Sequence, residues 1–234
     1  MNKIYIEKSF SEFNYKKKDS IIAILVYIYI LVLTCLFGIY IYKSNINIYL
    51  SSFFKNKNLY KIIIQLPILI LEIIPILLIL KKSNHSLSSI GIFFENIKKQ
   101  ILLGIVFAVP FIITSIYINK YSIINFTLYS IVYQLIFTSL IEEIIFRGFI
   151  QSRLKGIIHN TILRTLVVGI MFGFLHLPFQ LISNSAPLAE LLLPLLISIL
   201  TKTGMHVYYS FVYYKSNNLL APIITHTIKN LVLI

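Results

Sequence analysis

IIAILVYIYILVLTCLFGIYIY, residues 21–42, runs for 22 residues without one charge. As an α-helix it measures about 33 Å at 1.5 Å per residue, enough to cross a hydrocarbon core of about 30 Å. Lys16, Lys17 and Lys18 stand in front of it. It is too long for the apolar region of a signal peptide and has no small-residue cleavage pattern, so it is expected to span and to stay. Further apolar runs cover 62–80, 101–118, 122 to about 149, and about 165–181. Toward the end, 188–200, 203–214 and 219–234 are short or interrupted by polar residues; such helices hold at membrane depth only when packed on protein or lining a cavity. The reading is an all-α polytopic membrane protein of about eight transmembrane helices, with seven as the alternative count. An interfacial amphipathic helix is expected over 84–100, where Phe93 and Phe94 stand near Lys98 and Lys99.

Composition agrees. Hydrophobic residues make up 58 % of the 234, charged residues 12 %, and mean hydropathy is +0.85. These values exclude a soluble enzyme, a disordered chain, a secreted disulfide scaffold and a coiled coil. The organisation expected is residues 1–100 as two transmembrane helices plus the interfacial helix, and 101–234 as a core carrying the chemistry, together one integrated membrane domain. Cys35 is the sole cysteine and lies inside an apolar run, so an intramolecular disulfide is excluded. The net charge is +13. Most of the lysines and arginines sit between apolar runs, which points to the anionic membrane surface and away from nucleic acid. With the N-terminus inside, thirteen Lys and Arg fall on the cytoplasmic side and six opposite, the positive-inside distribution. Isoleucine is abundant while alanine occurs five times, as in an AT-rich genome. A bacterial plasma membrane is the expected location. Nothing in the sequence speaks to oligomeric state.

An ionised side chain at the centre of a membrane helix costs about 2.5–3.5 kcal/mol, so each needs a reason. Residues 139–147, SLIEEIIFR, hold Glu142, Glu143 and Arg147. Facing lipid, the three would cost about 8–10 kcal/mol, so they must face protein or water. Residues 172–176, FGFLH, put Phe172 and His176 at i, i+4 on one face; residues 226–230, HTIKN, do the same for His226 and Asn230. Each group alone has a plain structural reading: an ion pair, a packed histidine, an interhelical hydrogen bond. Together, and in this order, they point to a shared site.

The set Glu-Glu-x-x-x-Arg, Phe-x-x-x-His and His-x-x-x-Asn resembles the CAAX protease and bacteriocin-processing (CPBP, or Abi) family of intramembrane proteases. The matching residues are Glu142, Glu143, Arg147, Phe172, His176, His226 and Asn230. The stretch YYKSNNLLAP at 213–222 is similar to that family's approach to its last motif. The resemblance covers about 101–234. It implies an eight-helix core that hydrolyses a peptide bond of a membrane-associated peptide or protein with a glutamate-activated water. Carried over, Glu142 is the general base, His176 positions the water with it, and His226 and Asn230 donate to the developing oxyanion.

The adjacent glutamates are expected to differ. Neighbours on a helix point about 100° apart. Glu143 has Arg147 at i+4, whereas Glu142 has Phe146 there and no basic partner. No His-Glu-x-x-His occurs and Asn230 is a poor zinc ligand, so no cofactor is expected. Zinc held by Glu142, His176 and His226 stays open as the alternative. Two other functional classes remain: a non-catalytic scaffold or bacteriocin-immunity protein of the same fold, and a transporter using the carboxylates as a relay. The missing inverted repeat weighs against the transporter. A bacterial-looking chain points away from prenylated substrates, toward leader or pheromone peptides, self-immunity or regulated cleavage of a membrane protein. The pattern assigns no role to Glu190 or His206; Glu72, between Gln65 and Pro75, reads as an interhelical hydrogen bond.

Overall fold

Helix α1, Lys17–Lys43, begins where the Asp19 carboxylate accepts the backbone N–H of Lys16 at 2.8 Å, and it ends on Lys43. Both charges suit the helix dipole. The structure, a computed structural model, describes residues 13–119, 127–184 and 186–233. The helices that follow are α2 (Asn45–Phe53), α3 (Lys57–Lys82), α4 (Ile97–Asn119), α5 (Leu128–Gly156), α6 (Thr161–Leu175), α7 (Leu177–Ser183), α8 (Leu188–Ser216) and α9 (Leu220–Val232). No strand occurs among the described residues. Residue Ser122, read as the start of the fourth span, lies outside the described residues, as do Lys3, Lys8 and Lys120 of the charge count.

Six helices among the described residues are long and apolar enough to cross a membrane: α1, α3, α4, α5, α8, and α6 with α7 together. Their outer faces carry exposed Leu25, Leu78, Ile113 and Leu192, which water would not tolerate and lipid covers. This is an integral membrane protein. The described residues do not confirm the count of eight. Segments 188–200 and 203–214, expected as two spans, form the single helix α8, because Lys202 and its threonine neighbours break the apolar run but not the backbone ladder. Glu190, exposed in its first turn, suits the positive end of that helix. Helix α9 has 13 residues, about 20 Å, too short to span alone.

The interfacial helix expected over 84–100 is also corrected. The segment makes one 3-10 turn, Leu87–Ile90, and α4 begins only at Ile97. Asn84, Gly91 and Asn96 all have positive φ, which interrupts a helix three times. Gly91 is required at its place: a Cβ there would collide with the Tyr213 hydroxyl. The segment is tied instead by Leu219 N–H to Gly91 C=O (2.8 Å) and Asn218 Nδ2–H to Phe93 C=O (2.8 Å).

The contacts divide the chain into two compact units. One gathers the described parts of Met1–Asn14, Ile76–Ser152 and Tyr208–Ile234. In it α4 packs closely on α9, since Gly104 leaves room for Ile224 and its carbonyl accepts the Thr225 hydroxyl at 2.9 Å. Gln151 of α5 donates to the Tyr214 hydroxyl (2.7 Å) and accepts from Ser210 (3.2 Å). The other unit comprises Tyr15–Pro75 and Arg153–Val207. There α1 packs on α7, Tyr27 donates to the Met171 carbonyl at 3.0 Å, and Gly169 and Gly173 admit the backbone of α8 at Thr203 and Ile199.

Candidate active site

Helix α5 is not a plain α-helix. It winds as π over Tyr133–Leu140 and again over Glu143–Gln151, with Ile141 and Glu142 in α conformation between. Such wide turns are rare and gather at functional sites. Glu142 thus stands at the junction of the two π segments, and Glu143 opens the second. Arg147 lies one turn on, with its Nη1 at 2.6 Å from Glu143 Oε2 and both side chains fully buried. Burial of two charges is tolerable only when they stand this close together.

Helix α9 supplies the imidazole. Pro222 sits in its first turn, where a missing N–H costs nothing, and Thr225 ties the helix to Gly104 of α4. One residue later His226 places Nδ1 at 2.9 Å from Glu143 Oε1. Glu143 therefore serves two partners, one per oxygen. Because the carboxylate oxygen accepts, Nδ1 is the nitrogen that carries the proton in this bond. The other ring nitrogen, Nε2, lies 3.8 Å from Glu142 Oε2. That is beyond hydrogen-bond length. The Glu142 side chain is 23 % exposed, against 0 % for Glu143, and no described side chain hydrogen-bonds it.

Tyr209 of α8 completes the group. Its ring stacks on His226 with centroids 4.6 Å apart and planes at 24°, and the Arg147 guanidinium lies 5.0 Å from the ring centre. Four side chains thus close a circuit: Glu143 to His226, His226 to Tyr209, Tyr209 to Arg147, and Arg147 back to Glu143. Sequence reading missed Tyr209, since a tyrosine in an apolar run looks like core. Its signal was spacing: Tyr209 and Tyr213, Ser210 and Tyr214 repeat at i, i+4, which marks a helix face rich in polar tips. Asn230 lies one turn beyond His226, half-buried, and its Oδ1 accepts from Lys229 Nζ at 3.2 Å. The amide N–H groups of Asn230 are left to donate.

Phe172 and His176 belong to the second unit and meet each other there. Helix α6 ends at Leu175, and Pro178 opens α7. At this break the His176 N–H turns to the Gly173 carbonyl (3.2 Å), freeing the Phe172 carbonyl, which takes His176 Nδ1–H at 2.8 Å. That bond leaves Nε2 as the basic nitrogen. The Phe172 ring packs edge-on to His176 (4.8 Å) and near the buried His206 (6.0 Å), so the unassigned histidine lines the same ring. Of the expected site residues, then, the first unit joins Glu142, Glu143, Arg147 and His226, with Asn230 on the same helix as His226, and the second joins Phe172 and His176. Among the described residues no three His, Cys, Asp or Glu side chains gather as a metal-binding group. Residues 123–232 match the family model described as type II CAAX prenyl endopeptidase Rce1-like. No curated protein and no solved structure matches the chain.

Proposed function

We propose that this chain, whose residues 123–232 match the type II CAAX prenyl endopeptidase Rce1-like family model, is a protease-type membrane hydrolase that cuts a membrane-associated peptide or protein with a water activated by Glu142. One observation carries the choice of base. Glu143 is fully buried and engaged by both Arg147 and His226, whereas Glu142 is partly open and stops 3.8 Å short of His226. A carboxylate fully buried between two partners is shielded from water, whereas its partly open neighbour can receive one.

In this reading Glu142 takes a proton from water as the oxygen adds to the scissile carbonyl. Asn230 donates its amide N–H to the oxyanion. His226 is the second donor in this reading, through Nε2, which requires a proton on both ring nitrogens. Collapse breaks the C–N bond, and the proton held by Glu142 passes to the leaving amine. The N-terminus is cytoplasmic and no metal takes part.

The test uses purified protein in lipid vesicles with two probes. One is a farnesylated peptide with a C-terminal CAAX sequence, the substrate type named in the family description; the other is an unmodified amphipathic leader peptide. Cleavage that survives a zinc chelator, and vanishes in Glu142→Ala at normal abundance, supports the reading. Loss of cleavage on chelation, restored by zinc, contradicts it. A scaffold would keep its cellular phenotype in Glu142→Ala.

A further inference from the structure

Tyr209 comes from α8, outside every motif that marks the site, yet it touches both partners of Glu143. Its ring is 1 % exposed, so the contact is not a chance surface stack. The Nδ1 bond to Glu143 holds one edge of the His226 ring, and coupled changes of its two side-chain torsions can still tilt the ring around that bond. Whether Nε2 points at Glu142 therefore depends on a second restraint. A flat ring 4.6 Å away and 24° from parallel supplies it, because a rotated imidazole would have to push into the phenol. The guanidinium of Arg147 on the same ring ties the phenol in turn to the ion pair.

We propose that Tyr209 is a positioning residue for the reaction: its ring holds the His226 imidazole with Nε2 toward Glu142. The inference rests on the hydrolase reading for its kinetic arm and on geometry alone for its spectroscopic arm. It assigns the work to the ring and none to the hydroxyl, which makes the two substitutions at this position unequal. Tyr209→Phe keeps the stack. Tyr209→Leu keeps bulk and removes it.

The experiment compares wild type, Tyr209→Phe and Tyr209→Leu as full chains in detergent micelles. The His226 ring nitrogens are observed by NMR after histidine-specific labelling and assigned with His226→Gln. Wild type and Tyr209→Phe should share one slowly exchanging Nδ1–H signal, which in Tyr209→Leu should broaden or vanish. With the farnesylated CAAX peptide as probe, Tyr209→Leu should lose up to about 10²-fold in kcat, the scale of a small misplacement of a reacting group, with KM little changed. Tyr209→Phe should restore the wild-type rate. Should Tyr209→Leu not accumulate, Tyr209→Met makes the same comparison. An unchanged His226 signal in the Leu or Met variant overturns the proposal, and so does equal loss in the Phe and Leu variants, which would move the work to the hydroxyl. If wild type cleaves no probe, the hydrolase reading fails while the NMR comparison still decides Tyr209.

Discussion

Replacing Glu143 by Gln should cost folded protein before it costs chemistry. The change keeps shape and removes one charge. Glu143 forms an ion pair with Arg147 at 2.6 Å through one oxygen and accepts from His226 at 2.9 Å through the other. A glutamine has a single oxygen, so its NH₂ must face one of these two donors. Arg147 is fully buried and loses its counter-charge. Breaking one side of a buried pair costs about 3–5 kcal/mol. At roughly 2–4 °C per kcal/mol for a chain of this size, the melting midpoint should fall by about 6–20 °C. The assay is thermal unfolding of detergent-purified protein beside membrane abundance in cells. The double variant Glu143→Gln/Arg147→Met removes the stranded cation and should recover most of the loss. A midpoint within about 1 °C of wild type for Glu143→Gln alone would refute the reasoning, because a fully buried guanidinium cannot lose its partner at no cost.

Three other outcomes follow from named contacts. Asn230→Ala should slow cleavage by about 10²–10³-fold at unchanged abundance, as for loss of one oxyanion donor; a wild-type rate would remove Asn230 from the mechanism. Gly148→Ala should lower stability by about 1–3 kcal/mol, because its Cβ would lie 2.7 Å from the Ile90 carbonyl; unfolding of the purified variant reads this directly. Reporter fusions after Lys18 and Lys57 should give cytoplasmic and external signals respectively, and the reverse pattern would invert the topology.

Run length made the spans legible, because bilayer thickness fixes how many uncharged residues a helix needs. The Glu143–Arg147 pair was legible too, since i, i+4 is close on α and π winding alike. What stayed hidden depends on contacts the local pattern does not encode. The π winding of α5 leaves no mark on hydrophobic periodicity. The continuity of α8 across Lys202 was masked because a charge in an apolar run reads as an end, although backbone hydrogen bonds ignore it. The 84–96 segment reads as helix by composition and is held out of helix by Asn84, Gly91 and Asn96 and by its bonds to Asn218 and Leu219. Glu143's second partner, His226, sits 83 residues away and no spacing rule reaches that far. The sequence therefore separated the two glutamates by one contact, where the structure separates them by two.

The central claim is that Glu142 does the chemistry. Single-turnover cleavage by wild type and Glu142→Gln, at matched amounts of folded protein in vesicles, tests it most directly. Glu142 is partly exposed and hydrogen-bonds no described side chain, so the Gln variant should fold and accumulate as wild type does. Its cleavage rate should fall to background, since a neutral amide cannot accept the proton of water at this step. A Glu142→Gln protein that folds normally and still cleaves at a rate near wild type would contradict the account.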